Sequence, residues 1–113
     1  MPGALGASSV VTTRLDHIRA NLDAIRARVG DRLVLAAVKA DAYGHGAVEV
    51  AGMIERTAAA DWLGVATTSE GLELRAAGVG LPILKLSVAR GEEVRAAVGA
   101  GLTLCVTDAA SIA

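Results

Sequence analysis

The chain has 113 residues, of which 53% are hydrophobic and 20% charged, and its net charge is -1. That apolar content indicates one folded globular domain and excludes disorder for most of the chain. Nucleic-acid binding is disfavoured, because the charges form no basic stripe and only Trp62 and Tyr43 could stack on bases. The sequence contains neither a secretory signal pattern nor a run of about 18 apolar residues, so we expect a soluble, cytoplasmic protein without a membrane partner.

The first predicted elements are a helix and a short strand. The helix lies in LDHIRANLDAIRARVG, with Asp16 as its expected cap and Gly30 as its end. Apolar residues recur at spacings of four, three and four along one of its faces: Ile18, Leu22, Ile25 and Val29. The following run, RLVLAAVK, is short, apolar and closed by Lys39. It predicts a strand that is buried on both faces and ends at that lysine.

Strands and helices then alternate to the end of the chain. A helical pattern starts after Gly46, and Thr67 with Glu70 forms a capping-box signature for a later helix that stops at Gly78. A further helix is expected to end at Gly99 to Gly101, and Asp108 could cap a last one. The remaining predicted strands are WLGVA (62–66), PILKLSV (82–88) and LTLCV (102–106). The single cysteine, in LTLCV, is predicted to be a buried, unreactive thiol, Cys105.

This alternation predicts an α/β fold with right-handed crossovers and a parallel sheet. Each strand-helix unit takes about 20 to 27 residues, close to the unit of a (β/α)8 barrel of roughly 250 residues. About four units are present, so the chain is either a small open sheet or the amino-terminal half of a TIM-type barrel. The chain ends one turn into a predicted helix, which favours the half barrel. We expect a flexible segment at 1–12 and a partial barrel domain at 13–113.

A candidate site lies in AAVKADAYGHG, at the carboxyl end of the first strand, where parallel α/β folds place their functional loops. An apolar environment disfavours a charged ammonium, and a neutral amine at Lys39 is what a Schiff base with an aldehyde requires. The Tyr43 hydroxyl could donate to a phosphate that backbone N–H groups at Gly44 and Gly46 approach closely. Pyridoxal phosphate combines both groups. On spacing alone, a solvated Lys39 and a merely hydrogen-bonding His45 are the more common interpretations, and the functional one depends on the whole motif.

The motif VKADAYGHGA resembles the lysine motif of the alanine racemases, which are pyridoxal-phosphate enzymes that interconvert L- and D-alanine. The flanking segments DHIRANLDAIR, ADWLGVATTSEGLELRAAG, PILKLS and LTLCVTDAASI extend the resemblance from about Thr13 to the last residue. It implies a (β/α)8 barrel followed by a β domain, in a cytoplasmic homodimer that serves D-alanine biosynthesis for the cell wall or alanine catabolism. The family motif carries Asn or Asp where this chain has Asp41.

Carried over by position, the resemblance implies that Lys39 is the Schiff-base lysine and one of the two proton-transfer bases. It implies that Tyr43 contacts the cofactor phosphate and that no metal is needed. The second base of the family is a tyrosine in the β domain of the other subunit, beyond the region covered here. A racemase needs one base on each face of the planar carbanion, so we expect this chain alone to be inactive.

Other readings remain open from the sequence. The chain could belong to an amino-acid racemase of broader specificity with the same barrel, or be a non-catalytic α/β remnant in which Lys39 is a surface cap.

A half barrel exposes its inner face and strand edges, so aggregation or pairing of two copies is expected. Lys85 is expected to point outward or to lie at the strand margin, and Arg75 to be solvated.

Overall fold

A computed structural model of the chain describes residues 14–107 and 109. The predicted flexible segment 1–12 and the predicted cap at Asp108 lie outside these residues. In chain order the elements are α1 (Leu15–Val29), β1 (Leu35–Ala37), α2 (Lys39–Tyr43), α3 (Ala47–Thr57), β2 (Trp62–Val65), α4 (Thr68–Ala76), β3 (Ile83–Val88), α5 (Glu93–Gly99) and β4 (Leu102–Cys105). None of the helices described is long and apolar enough to cross a membrane.

The four strands form one parallel sheet in the order β1-β2-β3-β4, which confirms the predicted α/β architecture. Each strand pairs with the next one along the chain, as successive units of a barrel do. Within the described residues the barrel is not closed, and β1 and β4 are the two edges of the sheet. Because the strands are parallel, their carboxyl ends lie together on one side of the sheet, where the loops to the helices begin. We call this side the carboxyl edge, as distinct from the outer strands β1 and β4.

One face of the sheet is covered by helices and contains the core. Residues in register across β2, β3 and β4 on this face, Leu63, Ile83 and Leu102, are buried together. Apolar residues of α3 and α4 pack on them, including Val50, Ile54 and Leu74. Burial of such side chains is the main stabilising contribution in a domain of this size.

The opposite face of the sheet is open. Leu33, Leu35, Trp62, Leu84 and Thr103 line a shallow concavity of about 290 Å³ on it. Leu33 is 73% exposed. The prediction that the first strand is buried on both faces is therefore wrong for this chain, because no element described here covers the side that points into a barrel.

The sequence predicted the end of helix α1 correctly but not its N-cap residue. Asp16 does not cap the helix; Arg14 is the N-cap residue, and Asp16 lies in the first turn, where its carboxylate pairs with Arg14 at 2.8 Å. Gly30 ends the helix as predicted, with φ at 66°, a conformation that glycine adopts without strain. The helix packs against α3 on the side of β1.

Helix α4 begins with the predicted capping box. The Thr67 hydroxyl accepts from the N–H of Glu70, and the Glu70 carboxylate accepts from the N–H of Thr67. Gly71 is required by packing, because a Cβ atom at this position would lie 2.7 Å from Cδ1 of Leu102. The glycine that lowers helix propensity thus lets α4 lie close to the start of β4.

Three polar or reactive side chains differ from their expected environments. Lys85 shares the helix-covered face of β3 with Ile83, so it points outward as predicted, but it is buried rather than solvated. Arg75 is not solvated either: it is half-buried and donates to four carbonyl groups, those of Val79, Leu81, Ala100 and Gly101. Cys105 is a free thiol and only half-buried, because the end of β4 is an uncovered edge.

Candidate active site

Lys39 lies just past the carboxyl end of β1. The sequence predicted Lys39 as the last residue of the strand. In the structure the strand ends at Ala37, and Lys39 is the first residue of α2. The buried residue between them, Val38, still donates its N–H to the carbonyl of Gly64 on β2 at 2.8 Å. The chain leaves the sheet immediately after this bond, which places a half-buried Lys39 at the edge where the strands end.

The segment that follows Lys39 is a left-handed turn. Ala40, Asp41, Ala42 and Tyr43 have φ angles of 54° to 57°. A residue with a Cβ atom adopts this conformation at a cost of roughly 1–2 kcal/mol, and runs of several such residues are rare. Strain of this kind persists only where surrounding contacts hold it, and it is concentrated at functional sites.

Asp41 holds the second half of this turn. Its Oδ1 atom accepts from the N–H of Ala47 at 2.8 Å, at the first residue of α3. Its carbonyl accepts from the N–H of Gly46, also at 2.8 Å. Asp41 therefore joins the turn to the start of the next helix, a contact that the lysine motif alone did not reveal.

The two glycines of the motif have a different function from the predicted one. The N–H of Gly44 donates to the carbonyls of Ala40 and Asp41, and the N–H of Gly46 is used by Asp41. Both N–H groups are thus bonded within the turn and do not form a phosphate cradle. The φ angles of Gly44 and Gly46 are 90° and 92°, so the glycines provide the positive φ that ends the turn.

Glu70 connects this turn to helix α4. Its Oε1 accepts from the N–H groups of Ala66 at 2.7 Å and Thr67 at 3.0 Å, and its Oε2 accepts from the N–H of Ala40 at 2.8 Å. Burial disfavours ionisation of Glu70, but the three N–H donors and the nearby charge of Lys39 outweigh it and hold the pKa of this carboxyl below its usual 4.5. Glu70 is therefore an ionised carboxylate at neutral pH.

Tyr43 and His45 lie at the end of the left-handed turn. Tyr43 is 62% exposed, and His45 is exposed as well. Both line a cavity of about 360 Å³ whose other walls include apolar residues of α1, β1 and α3, such as Leu22, Ala36 and Ile54. Within the described residues no hydrogen bond or ion pair engages the Lys39 amine or the Tyr43 hydroxyl.

A second group of polar residues joins the ends of β2 and β3. The Ser87 hydroxyl donates to the carbonyl of Ala66 at 2.6 Å and accepts from the Lys85 ammonium at 2.7 Å. Lys85 also lies 3.2 Å from a carboxylate oxygen of Glu93. Since the N–H of Ala66 is bonded to Glu70, this group and the turn after Lys39 meet at the same peptide segment.

A metal-dependent site has no support in the described part of the chain. No three side chains of His, Cys, Asp or Glu come together there in a way that could hold an ion. The groups that lie nearest the start of the turn are the Lys39 amine and the fixed carboxylate of Glu70.

Comparison with known proteins gives a consistent result. Residues 13–113 match the family described as Alanine racemase, N-terminal domain. The alanine racemase of Cutibacterium acnes is 57% identical over 94 residues, which are 83% of this chain and 25% of that protein. The chain thus spans about a quarter of the length of the curated relatives it matches.

Solved structures show the same relationship. The alanine racemase from E. faecalis superposes with a TM-score of 0.80 at 35% identity, over 88% of this chain and 27% of that one. The alanine racemase of Clostridium difficile 630 gives a TM-score of 0.73 at 42% identity, over 78% of this chain and 23% of that one. The four-stranded sheet therefore matches the amino-terminal barrel part of these enzymes.

Proposed function

Because the chain belongs to the alanine racemase N-terminal domain family, we propose that it forms the cofactor-attaching portion of a pyridoxal-phosphate-dependent alanine racemase. The observation that carries this proposal is the position of Lys39, which follows β1 at the carboxyl edge of a parallel sheet. Catalytic groups of (β/α)8 enzymes lie at that edge. The relatives named above are alanine racemases, which supports alanine as the substrate.

The residues present fit the cofactor at two points. Lys39 is half-buried, and its amine is the group that would hold the cofactor aldehyde covalently. Tyr43 is exposed, and its hydroxyl is the group that would donate to the phosphate. The N–H groups of Gly44 and Gly46 are bonded within the turn, so these two groups are not available to the phosphate.

When bound, pyridoxal phosphate delocalises the negative charge left by removal of the α-proton of alanine. Lys39 would then remove or return that proton on one face of the substrate. Inversion needs a base on the other face, which in our proposal comes from outside residues 13–113. We therefore propose that the isolated chain does not racemise alanine. From the family resemblance we also propose that the complete protein works in the cytoplasm as a homodimer.

The test uses a hybrid racemase in which residues 13–113 replace the matching segment of the Cutibacterium acnes relative. Formation of D-alanine from L-alanine is measured, together with borohydride-stable attachment of pyridoxal phosphate at Lys39. The hybrid should be active, and Lys39→Ala should abolish both signals. Attachment at another lysine, or turnover that survives Lys39→Ala, would contradict the proposal.

Tyr43→Phe in the same hybrid tests the phosphate contact. Loss of one hydrogen bond to a charged group should raise the Kd for pyridoxal phosphate about tenfold while attachment still occurs at Lys39. His45→Ala is the matched control at the neighbouring exposed position and should leave this Kd unchanged. An equal effect of both variants would assign the loss to the loop as a whole.

A further inference from the structure

We propose that Glu70 is a positioning residue for Lys39: its carboxylate ties the left-handed turn that follows Lys39 to the start of helix α4. The catalytic consequence rests on the function proposed above, whereas the link itself is visible in the geometry of Glu70.

The two carboxylate oxygens of Glu70 have separate partners. Oε1 accepts from the N–H groups of Ala66 and Thr67, at 2.7 and 3.0 Å, and this completes the capping box. Oε2 accepts from the N–H of Ala40 at 2.8 Å, 30 residues earlier in the chain. Helix capping uses only the first oxygen, so the second has a function that the cap does not explain.

The contact with Ala40 lies at the beginning of the turn. Ala40 is the first of the left-handed residues, and its side chain offers no hydrogen bond of its own. Backbone bonds such as Ala42 N–H to the Val38 carbonyl, and Asp41 through Gly46 and Ala47, hold the rest of the turn. Glu70 is the side chain that binds the N–H of the first left-handed residue.

The N–H of Ala40 belongs to the same peptide plane as the carbonyl of Lys39. Fixing this N–H fixes the orientation of the peptide on which the Lys39 side chain is mounted. Ionised Glu70 also lies close enough to Lys39 for the two charges to interact. A catalytic amine must be held within a narrow range of directions, and residues behind it commonly provide that restraint.

The alternative is that Glu70 is only a helix cap, and three variants separate the two functions. Glu70→Ala removes both the cap and the link to Ala40. Thr67→Ala removes the hydroxyl that accepts from the N–H of Glu70 at 3.1 Å but keeps the link to Ala40. Glu73→Gln changes an exposed acid one turn further along α4 and is the control for charge.

The first measurement is amide hydrogen exchange in the 113-residue chain, which requires no cofactor. Glu70→Ala should accelerate exchange of the Ala40 N–H about tenfold or more, because a hydrogen bond to a charged acceptor is lost. Thr67→Ala and Glu73→Gln should change it less than about twofold. Unchanged protection of Leu63 in β2 shows that the sheet remains folded; if it is lost, Glu70→Gln, which removes the charge and retains the size, replaces Glu70→Ala.

The second measurement is made in the hybrid racemase. Glu70→Ala should slow borohydride-trapped attachment of pyridoxal phosphate at Lys39 and lower kcat about tenfold, with little change in KM for alanine. Thr67→Ala should leave both near the parent values.

The link to Ala40 and the positioning function can be contradicted independently. Slow exchange at Ala40 in Glu70→Ala, or equal acceleration in Thr67→Ala, overturns the link. Normal attachment and kcat in Glu70→Ala overturn the positioning function. If the parent hybrid attaches no cofactor at Lys39, the proposed function fails, and the Ala40 exchange rates still decide whether Glu70 fixes the turn.

Discussion

The ammonium of Lys85 lies 3.2 Å from the carboxylate of Glu93, with 3% of the lysine side chain and 42% of the glutamate side chain exposed. The pair joins the centre of β3 to the first turn of α5, and the Ser87 hydroxyl and carbonyl complete the hydrogen bonds of the ammonium. A buried ammonium without a partner costs several kcal/mol, so Ser87 on the same strand and the Glu93 carboxylate on the helix together make a charge at this position tolerable.

Removing Glu93 should therefore cost more than removing the whole pair. Glu93→Ala leaves the Lys85 ammonium with Ser87 alone and should lower the free energy of unfolding by about 1 kcal/mol, a value reduced because Glu93 is partly solvated. Lys85→Met with Glu93→Ala should recover most of that loss. Urea unfolding in dilute solution measures both, with Glu92→Ala as the exposed control. Equal losses in the single and double variants would contradict the expected cost of leaving the Lys85 ammonium without its carboxylate.

Acid should destabilise the fold in part through Glu70. Its pKa is lowered in the folded chain, so the unfolded chain binds the proton at a higher pH. The stability that Glu70 contributes is fully present above its usual pKa of 4.5 and is lost as the pH falls through the lower folded value. Between about pH 7 and about pH 3 the urea midpoint of Glu70→Gln should fall less than the urea midpoint of the parent chain.

Two other carboxyl groups limit how much of this slope Glu70 can explain. The pKa values of Asp16 and Asp61 are also lowered, so Glu70→Gln should flatten the acid slope without abolishing it. Glu73→Gln serves as the control and should retain the parent slope. If the urea midpoint of Glu70→Gln falls with pH as steeply as that of the parent, the Glu70 carboxylate makes no net contribution to the acid sensitivity of the fold.

Two helix glycines should respond oppositely to alanine. At Gly52 in α3 the nearest atom to an added Cβ is the flexible end of Arg56, at 3.2 Å, so Gly52→Ala should stabilise the chain by about 0.5–1 kcal/mol. At Gly71 the added atom meets the buried Leu102 at 2.7 Å, and overpacking of about 1–3 kcal/mol should outweigh the helix gain.

The same pair can be tested for its cause. In a Leu102→Ala background the clash is absent, so Gly71→Ala should become neutral or stabilising. Thermal unfolding of the four chains measures the coupling. If Gly71→Ala destabilises equally in both backgrounds, contact with Leu102 is not the reason for the glycine.

The open face of the sheet should cause self-association of the 113-residue chain. Leu33 and Leu35 are 73% and 39% exposed there, beside the unpaired edge of β1. Leu33→Lys should shift light-scattering and sedimentation data towards the monomer. Val98→Lys changes a residue that is 61% exposed on the helical side and should have no such effect. A parent chain that is a folded monomer at all concentrations would contradict this expectation.

Sequence reasoning predicted the helices and strands well where local chemistry decides them. The capping box at Thr67 and Glu70 and the helix end at Gly30 are satisfied by residues close in the chain, so the sequence contains the whole signal. Asp16 was assigned wrongly as a cap because several residues near a helix start can serve, and Arg14 occupies the position. The predicted strand boundaries differ from the observed ones by up to three residues, since pairing with neighbours decides where a strand stops.

The candidate site divides in the same way. The position of Lys39 at the carboxyl edge of β1 follows from the order of apolar runs, and the lysine motif indicates the family. The left-handed turn, the internal bonding of Gly44 and Gly46 and the second contact of Glu70 were not predicted. Each of these depends on atoms brought together from different segments.

By itself the sequence determined the alternating α/β order, the parallel sheet and the lysine that ends its first apolar run, because hydrophobic periodicity and capping residues act over a few neighbouring positions. Only the tertiary structure decided that Glu70 reaches Ala40 across 30 residues, that Lys85 is buried against Glu93, and that one sheet face remains open. These features depend on which strands and helices lie side by side, and short-range patterns do not encode the distances between them.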